Sequence, residues 1–265
     1  MTDNSTGARP AEAVSRSDTP ARVAVLGAGG RAGRAVSQEF VARGHRVTGV
    51  VRDAGRHRSL GDLGVEVAEG NATRAGDLVD VLRDADIVVV AVTPFSAPPP
   101  SFDGFDEAFY EHVVAGVAGA VGAARTSPVT RLITIGLFAT LTLTDGTTVM
   151  DDPDVFPPSL LPFARAHARE MTALRRLAAD LDWLVLTPPA GLQVGDAADA
   201  AGYVLAALPL DRGRAEGTLG YGQLARAVAD QAETPTLHQT QVAVLPTAQE
   251  TTEERPAESR ARPPA

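Results

Sequence analysis

Short apolar runs and helix-spaced stripes alternate along this chain from about residue 21 to residue 246. The runs at Arg22–Leu26, Arg46–Val51, Val65–Ala68, Ile87–Val92, Arg131–Ile135, Trp183–Thr187 and Gln241–Leu245 are apolar nearly throughout. That is the pattern of strands buried on both faces. Between them, helices are predicted over Arg31–Arg43, Ala75–Arg83, Phe105–Arg125, Pro162–Asp180 and Gly222–Gln231. On the longest of these, Phe109, Val113, Val117 and Val121 recur every four residues and read as a core stripe. Strands that alternate with helices are joined by crossovers. The expected fold is therefore α/β: a doubly wound, mostly parallel sheet with helices on both faces.

The flanks break the pattern. Residues 1–20 are rich in Ser, Thr, Asp, Pro and Ala and read as a disordered leader, and 247–265 read as a disordered tail. The single domain expected is 21–246, which can bury one sizeable core. The leader has no apolar segment of the secretory kind, and the longest apolar run suits a buried strand, not a membrane span. A cytoplasmic protein is the plain reading. A net charge of −9 argues against nucleic acid or an anionic membrane as partner. The chain has no cysteine, which removes disulfides and thiolate chemistry. All 24 of its cationic side chains are arginine, so Schiff-base chemistry and any Tyr/Lys proton relay are also removed.

One stretch speaks to function directly. Gly27-Ala28-Gly29-Gly30-Arg31-Ala32-Gly33 follows the first strand and opens the first helix. This is the arrangement of a dinucleotide-binding turn. Gly27 permits the tight turn, Gly29 and Gly30 let backbone approach a pyrophosphate, and Gly33 lets helix pack on strand. The helix N-terminus then offers its N–H groups and positive dipole end to the phosphates. The loops after strands four, five and six (Thr93 to Asp106, Gly136 to Pro162 and Thr187 to Gly191) end at the carboxyl edge, where an open parallel sheet holds its ligand. The first of them is dense in proline and phenylalanine, which suits a small-molecule acceptor.

Further along, Gly44-His45-Arg46-Val47 leads into Val50-Val51-Arg52-Asp53, and Gly70-Asn71-Ala72-Thr73 follows strand three. Ala85-Asp86-Ile87-Val88-Val89 and Leu181 to Pro189 complete the series. With the glycine turn, these resemble the atypical short-chain dehydrogenase/reductase proteins of the NAD(P)H-binding, NmrA-like kind. The resemblance spans Arg22 to Leu245 and implies a Rossmann-like NAD(P)-binding fold. It also implies Asn71 near the adenine, and Thr93 and Pro94 along the ribose and pyrophosphate.

The choice of nucleotide rests on Arg52. An NAD site usually has Asp or Glu at the end of strand two, on the ribose 2′-hydroxyl. A guanidinium there suits a 2′-phosphate, and Arg31 is placed to reach the same group. NADP(H) is expected over NAD(H), the plain alternative being a solvated arginine beside Asp53.

The proton relay of the wider superfamily is a Tyr-x-x-x-Lys pair on the helix before strand six. Alignment on Leu181-Asp182-Trp183 puts Arg165 and Arg169 at those two positions, Gly136 and Leu137 at the accompanying Ser, and Gly119 at an Asn. His167 is the stand-in, as a proton donor on the same helix; a surface histidine is the alternative. Tyr110 reads as packing. Asp151, Asp152 and Asp154 lack metal-ligand spacing, so no metal is expected. Two functions remain. One is an NADPH-dependent oxidoreductase acting on a small acceptor. The other is a non-catalytic NADP(H)-responsive sensor with a protein partner.

Overall fold

The computed structural model describes residues 20–95, 99–102, 104–124, 129, 131–194 and 202–247. The leader short of Pro20, the tail after Thr247 and Arg125 of the predicted long helix lie outside them. The chain runs β1 (Arg22–Leu26), α1 (Arg31–Ala42), β2 (Arg46–Val51), β3 (Glu66–Glu69), α2 (Ala75–Arg83), β4 (Ile87–Val90), α3 (Phe109–Ala123) and β5 (Arg131–Ile135). It continues with α4 (Leu161–Leu177), β6 (Trp183–Thr187), β7 (Gly191–Gln193), β8 (Tyr203–Ala206), α5 (Arg212–Ala215), β9 (Thr218–Gly220), α6 (Tyr221–Glu233) and β10 (Thr240–Pro246).

Eight strands form one sheet in the order β3-β2-β1-β4-β5-β6-β10-β8. Every pairing is parallel except β8 against β10. The strand order reverses between β1 and β4, and that switch point opens a crevice at the carboxyl ends.

The twofold alternation of side chains explains why the strands read as continuously apolar. Val23, Val25, Ile87, Val89, Ile133, Leu184 and Leu186 pack under α1 and α6, against Val36, Phe40, Leu224 and Val228. Their neighbours Ala24, Leu26, Val88, Val90, Leu132, Trp183 and Val185 pack under α2, α3 and α4, against Leu78, Val113, Val117 and Leu174. Each fully buried aliphatic side chain contributes about 1.5–3 kcal/mol.

The expected α/β doubly wound sheet is the observed one, with differences at the edges. β4 ends two residues early, because the Ala91 backbone turns toward the glycine loop, its carbonyl oxygen facing Gly27. The long helix begins at Phe109 instead of Phe105, after a turn in which Asp106 Oδ1 accepts the Ala108 N–H at 2.9 Å. Residues 54–63 form 3-10 turns, started by Asp53, whose Oδ1 accepts the Arg56 N–H at 3.2 Å. Strands β7, β8 and β9 carry no apolar pattern strong enough to find in the sequence. β8 is an edge strand bonded on one side only, and β7 pairs with β9 as a separate two-stranded ribbon. Among the described residues, no helix is long and apolar enough to cross a membrane.

At the amino end of the sheet, Asp86 Oδ2 accepts the Arg22 backbone N–H at 2.8 Å, and Asp86 Oδ1 accepts from the Arg22 guanidinium at 3.0 Å. The guanidinium bond holds the Asp86 carboxyl below its usual range, against a smaller opposing effect of burial. A depressed carboxyl contributes stability above its unfolded pKa, and the contribution is lost as pH falls through the folded one. Asp86→Asn is therefore expected to melt about 2 °C lower at pH 7, the pair being screened by solvent. Melting curves of the two proteins should converge as the pH drops below about 4. A gap that stays constant on acidification would show that the pair is not its source.

Candidate cofactor and acceptor cleft

The turn from β1 into α1 is built from glycine contacts. Gly27 has φ +83°, and a Cβ there would stand 2.5 Å from the Ala91 carbonyl oxygen. Gly27 N–H donates to Val50 O at 2.9 Å, which ties the turn to β2, and Gly30 N–H donates to Gly27 O at 3.0 Å. A Cβ on Gly33 would stand 2.2 Å from that same Gly27 oxygen, so the third glycine sets how closely α1 lies on the turn.

Gly30 caps α1 without a side chain, and the first turn of the helix has no acidic residue. The first N–H groups of a helix have no carbonyl behind them. Among the described residues no side chain caps that end of α1, and Gly29, Gly30, Arg31 and Ala32 line the cleft. A bare glycine surface beside an uncapped helix N-terminus fits a pyrophosphate.

The cleft has a volume of about 790 Å³ and runs across the β1/β4 switch point. Of the residues singled out in the sequence, Gly27, Gly29, Gly30, Arg31, Arg52, Asn71, Thr93 and His167 line it together. Gly33 and Pro94 do not. Gly33 lies behind the turn, and Pro94 presents its carbonyl to Arg52 Nη1 at 3.4 Å. Asn71 Oδ1 is taken by the Thr73 N–H and hydroxyl at 3.0 and 2.9 Å, and the Thr93 hydroxyl donates to Phe95 O at 2.7 Å. Arg52 is exposed at the end of β2. The neighbouring Asp53 caps residues 54–63 and pairs with Arg56 at 3.2 Å, so its carboxylate is already committed.

The α4 side chains that line the cleft are Phe163 and His167. The two arginines that the sequence alignment puts at the relay positions do not line it. Arg165 and Arg169 are more than half exposed and reach Glu107 at 3.6 and 3.3 Å, outside the cleft. Phe163 and His167 are four apart and lie on one helix face. His167 is no surface residue: it is 6% exposed, and Nδ1 lies 3.4 Å from Oε2 of Glu170, itself 2% exposed. The Tyr110 ring stacks on the imidazole with centroids 3.7 Å apart, and Phe163 meets it edge-on at 5.0 Å.

The Tyr110 hydroxyl donates to Val92 O at 3.2 Å. Burial, with a smaller push from the Glu170 charge, raises the Tyr110 phenol well above its usual value. Burial thus favours the protonated phenol, and the Tyr110 ring stacks on the imidazole. Phe95, Phe102, Phe105 and Phe163 form a connected cluster of rings beside this pair.

The missing side chain at Gly136 has a steric cause. A Cβ on Gly136 would stand 2.3 Å from the Thr187 hydroxyl, so no serine fits there unless Thr187 moves. Gly119 does not reach the cleft; a Cβ there would meet Ala75 Cβ at 3.2 Å, on the packing face of α3. Asp151 caps residues 149–151 with Thr148, and Asp152 pairs with Arg212.

Sequence reasoning missed Phe163, Glu170 and His57. The first two could have been found from the 163/167/170/174 stripe, which follows the helical period on the buried side of α4. His57 carries no pattern in the sequence.

The profile of the NAD(P)H-binding family matches residues 27–235. YwnB, an uncharacterized protein of Bacillus subtilis, is 25% identical over 222 residues, covering 81% of this chain and 93% of YwnB. Among solved structures, the "putative NADH-flavin reductase" of Streptococcus pneumoniae superposes with a TM-score of 0.66 at 21% identity, over 85% of this chain and 99% of that one. A wide-type short-chain dehydrogenase/reductase from Veillonella parvula, solved with NADP, gives 0.64 at 15% identity over 85% and 94%. These two share the fold, and the profile spans the glycine turn, the switch point and α4 alike. The chain belongs to the NAD(P)H-binding family.

Proposed function

We propose that this protein is an NADPH-dependent oxidoreductase of the cytoplasm that reduces a small acceptor without the Tyr/Lys relay. The observation that carries the reading is the single cleft joining the glycine turn to the buried His167–Glu170 pair. A binding protein has no evident use for a histidine and a carboxylate sealed together beneath its cofactor cleft. The reductase name borne by the Streptococcus pneumoniae relative agrees with it.

Gly29, Gly30 and the α1 N-terminus would hold the pyrophosphate, Arg52 and Arg31 the 2′-phosphate, and Asn71 and Thr93 the flanks of the nucleotide. A bound reduced nicotinamide supplies the hydride. The chain supplies the rest. The phenylalanine cluster excludes water and orients a flat acceptor. Glu170 holds His167 by Nδ1, which leaves Nε2 to deliver the proton that a reduced acceptor requires. Orientation and exclusion of water can account for much of the rate in such a transfer. An epimerase or dehydratase is disfavoured, because those enzymes rely on the Tyr and Lys this chain lacks.

Calorimetric titration with NADPH and NADH, followed by NADPH oxidation with quinone, flavin and carbonyl acceptors, tests the reading. Micromolar NADPH binding with acceptor-dependent oxidation is expected. Tight NADPH binding with no oxidation across the panel would favour the sensor, a reading to which the missing relay also points. Arg52→Ala is expected to weaken NADPH binding about ten- to a hundredfold, the loss of a hydrogen bond to a charged group. NADH binding should hold within about twofold, and equal loss of both would sink the 2′-phosphate assignment.

A further inference from the structure

His57 has no part in the site as read so far. It lies in the 3-10 segment after β2, at the one residue of 54–63 whose backbone leaves helical geometry (φ −121°, ψ 25°). Its ring rests on the glycine turn: a Cβ on Gly29 would stand 2.4 Å from His57 Cε1 and 2.6 Å from both ring nitrogens. Gly29 is therefore bare for a reason beyond the approach of a phosphate, because any side chain there would displace the imidazole. The ring lines the cleft, is half-buried, and neither nitrogen has a hydrogen-bond partner among the described residues.

An imidazole in either charge state carries at least one N–H. Ordered against the turn, it can donate that N–H at little entropic cost. Around it, Arg34 Nη1 is held by Ser59 Oγ at 3.2 Å and Arg56 by Asp53. Those two cations are partly engaged, whereas the His57 donors are not.

We propose that His57 is a phosphate-contacting residue of this cleft, donating a ring N–H to a phosphate oxygen of the dinucleotide, with Gly29 the residue that makes room for the ring. The assignment rests on the dinucleotide reading above. The chemistry is shared by the pyrophosphate and the 2′-phosphate, and comparison of the two dinucleotides separates them.

The test is calorimetric titration of NADPH and NADH into the wild type, His57→Ala, His57→Gln and Gly29→Ala, with a thermal melt of each. His57→Ala should melt within about 2 °C of the wild type, since it loses no hydrogen bond and only half-buried surface. It should bind NADPH about tenfold more weakly. Loss for both dinucleotides assigns the contact to the pyrophosphate, and loss for NADPH alone assigns it to the 2′-phosphate. His57→Gln keeps an N–H donor and should retain part of the affinity. Gly29→Ala, which expels the ring, should weaken binding to a similar degree, with little further loss in the double variant.

Unchanged or tighter binding by His57→Ala overturns the proposal, and tighter binding would make the ring a cover that the dinucleotide must push aside. A wild type that binds neither dinucleotide overturns both this assignment and the reading beneath it.

Discussion

Gly33→Ala is expected to lose roughly 2–3 kcal/mol of stability together with its dinucleotide binding. The added Cβ would stand 2.2 Å from the Gly27 oxygen, 2.8 Å from the Gly27 carbonyl carbon and 2.9 Å from Ala28 Cα. All three are backbone atoms, so no side-chain rotation relieves the clash. Either α1 lifts from the turn or the turn deforms.

Both responses damage function as well as fold. The oxygen that the methyl strikes also accepts the Gly30 N–H at 3.0 Å, the bond that shapes the N-terminus of α1. Lifting the helix also strains its packing against α6, through Val36 and Phe40. For a domain of this size the melting temperature should fall by about 5–12 °C. Calorimetry should find NADPH affinity reduced beyond a hundredfold. A variant that melts like the wild type and binds NADPH normally would show that α1 sits more loosely than these contacts require.

The turn was legible because its chemistry is local. Glycines 27, 29, 30 and 33 each stand for a backbone requirement, and a strand and a helix flank them in sequence. The central strands were legible for a related reason. Six of the seven predicted strands agree in position to within a residue at each end, since burial on both faces leaves a short unbroken apolar run at the centre of the sheet.

What escaped is what depends on partners distant in sequence. β8 draws its pairing from β10 alone, and the β7–β9 ribbon joins two three-residue pieces separated by the α5 region. The cleft-lining side of α4 is not legible from counting back along the chain from Trp183. The side that faces the cleft is fixed instead by Tyr110 on α3, which stacks on His167 across the helix interface. His57 reaches Gly29 from twenty-eight residues away, and nothing in the sequence announces the meeting.

The side of α4 that lines the cleft changes what the missing relay means. Read as Arg165 and Arg169, the two positions would be solvated cations, and the site would lack any group able to pass a proton. Read as Phe163 and His167, they form an apolar wall and one titratable side chain, held by a buried carboxylate and a stacked phenol. The second arrangement puts one buried histidine on the side of α4 that lines the cleft, with the ring of Tyr110 from α3 stacked on it.

His167 can therefore be tested as a proton donor with binding held apart from turnover. His167→Gln keeps an amide N–H to offer Glu170, but it has no proton to give at neutral pH. Turnover with an accepting quinone, flavin or carbonyl compound is expected to fall about a hundredfold, the low end of what a positioned general acid contributes. NADPH affinity should change less than twofold, because the ring contacts and the hydrogen bond of His167 involve none of the glycines of the turn.

His167→Ala should lose as much activity and also destabilise the chain by about 1–3 kcal/mol, since it leaves the Glu170 carboxylate buried without its histidine partner. The pair of variants thus separates the two roles: loss of turnover common to both belongs to the proton, and loss of stability confined to alanine belongs to the Glu170 contact. Full turnover in His167→Gln would remove the histidine from the reaction and leave solvent as the proton source. Activity lost only in proportion to stability, in both variants, would reduce the His167–Glu170 pair to a structural contact under the cleft.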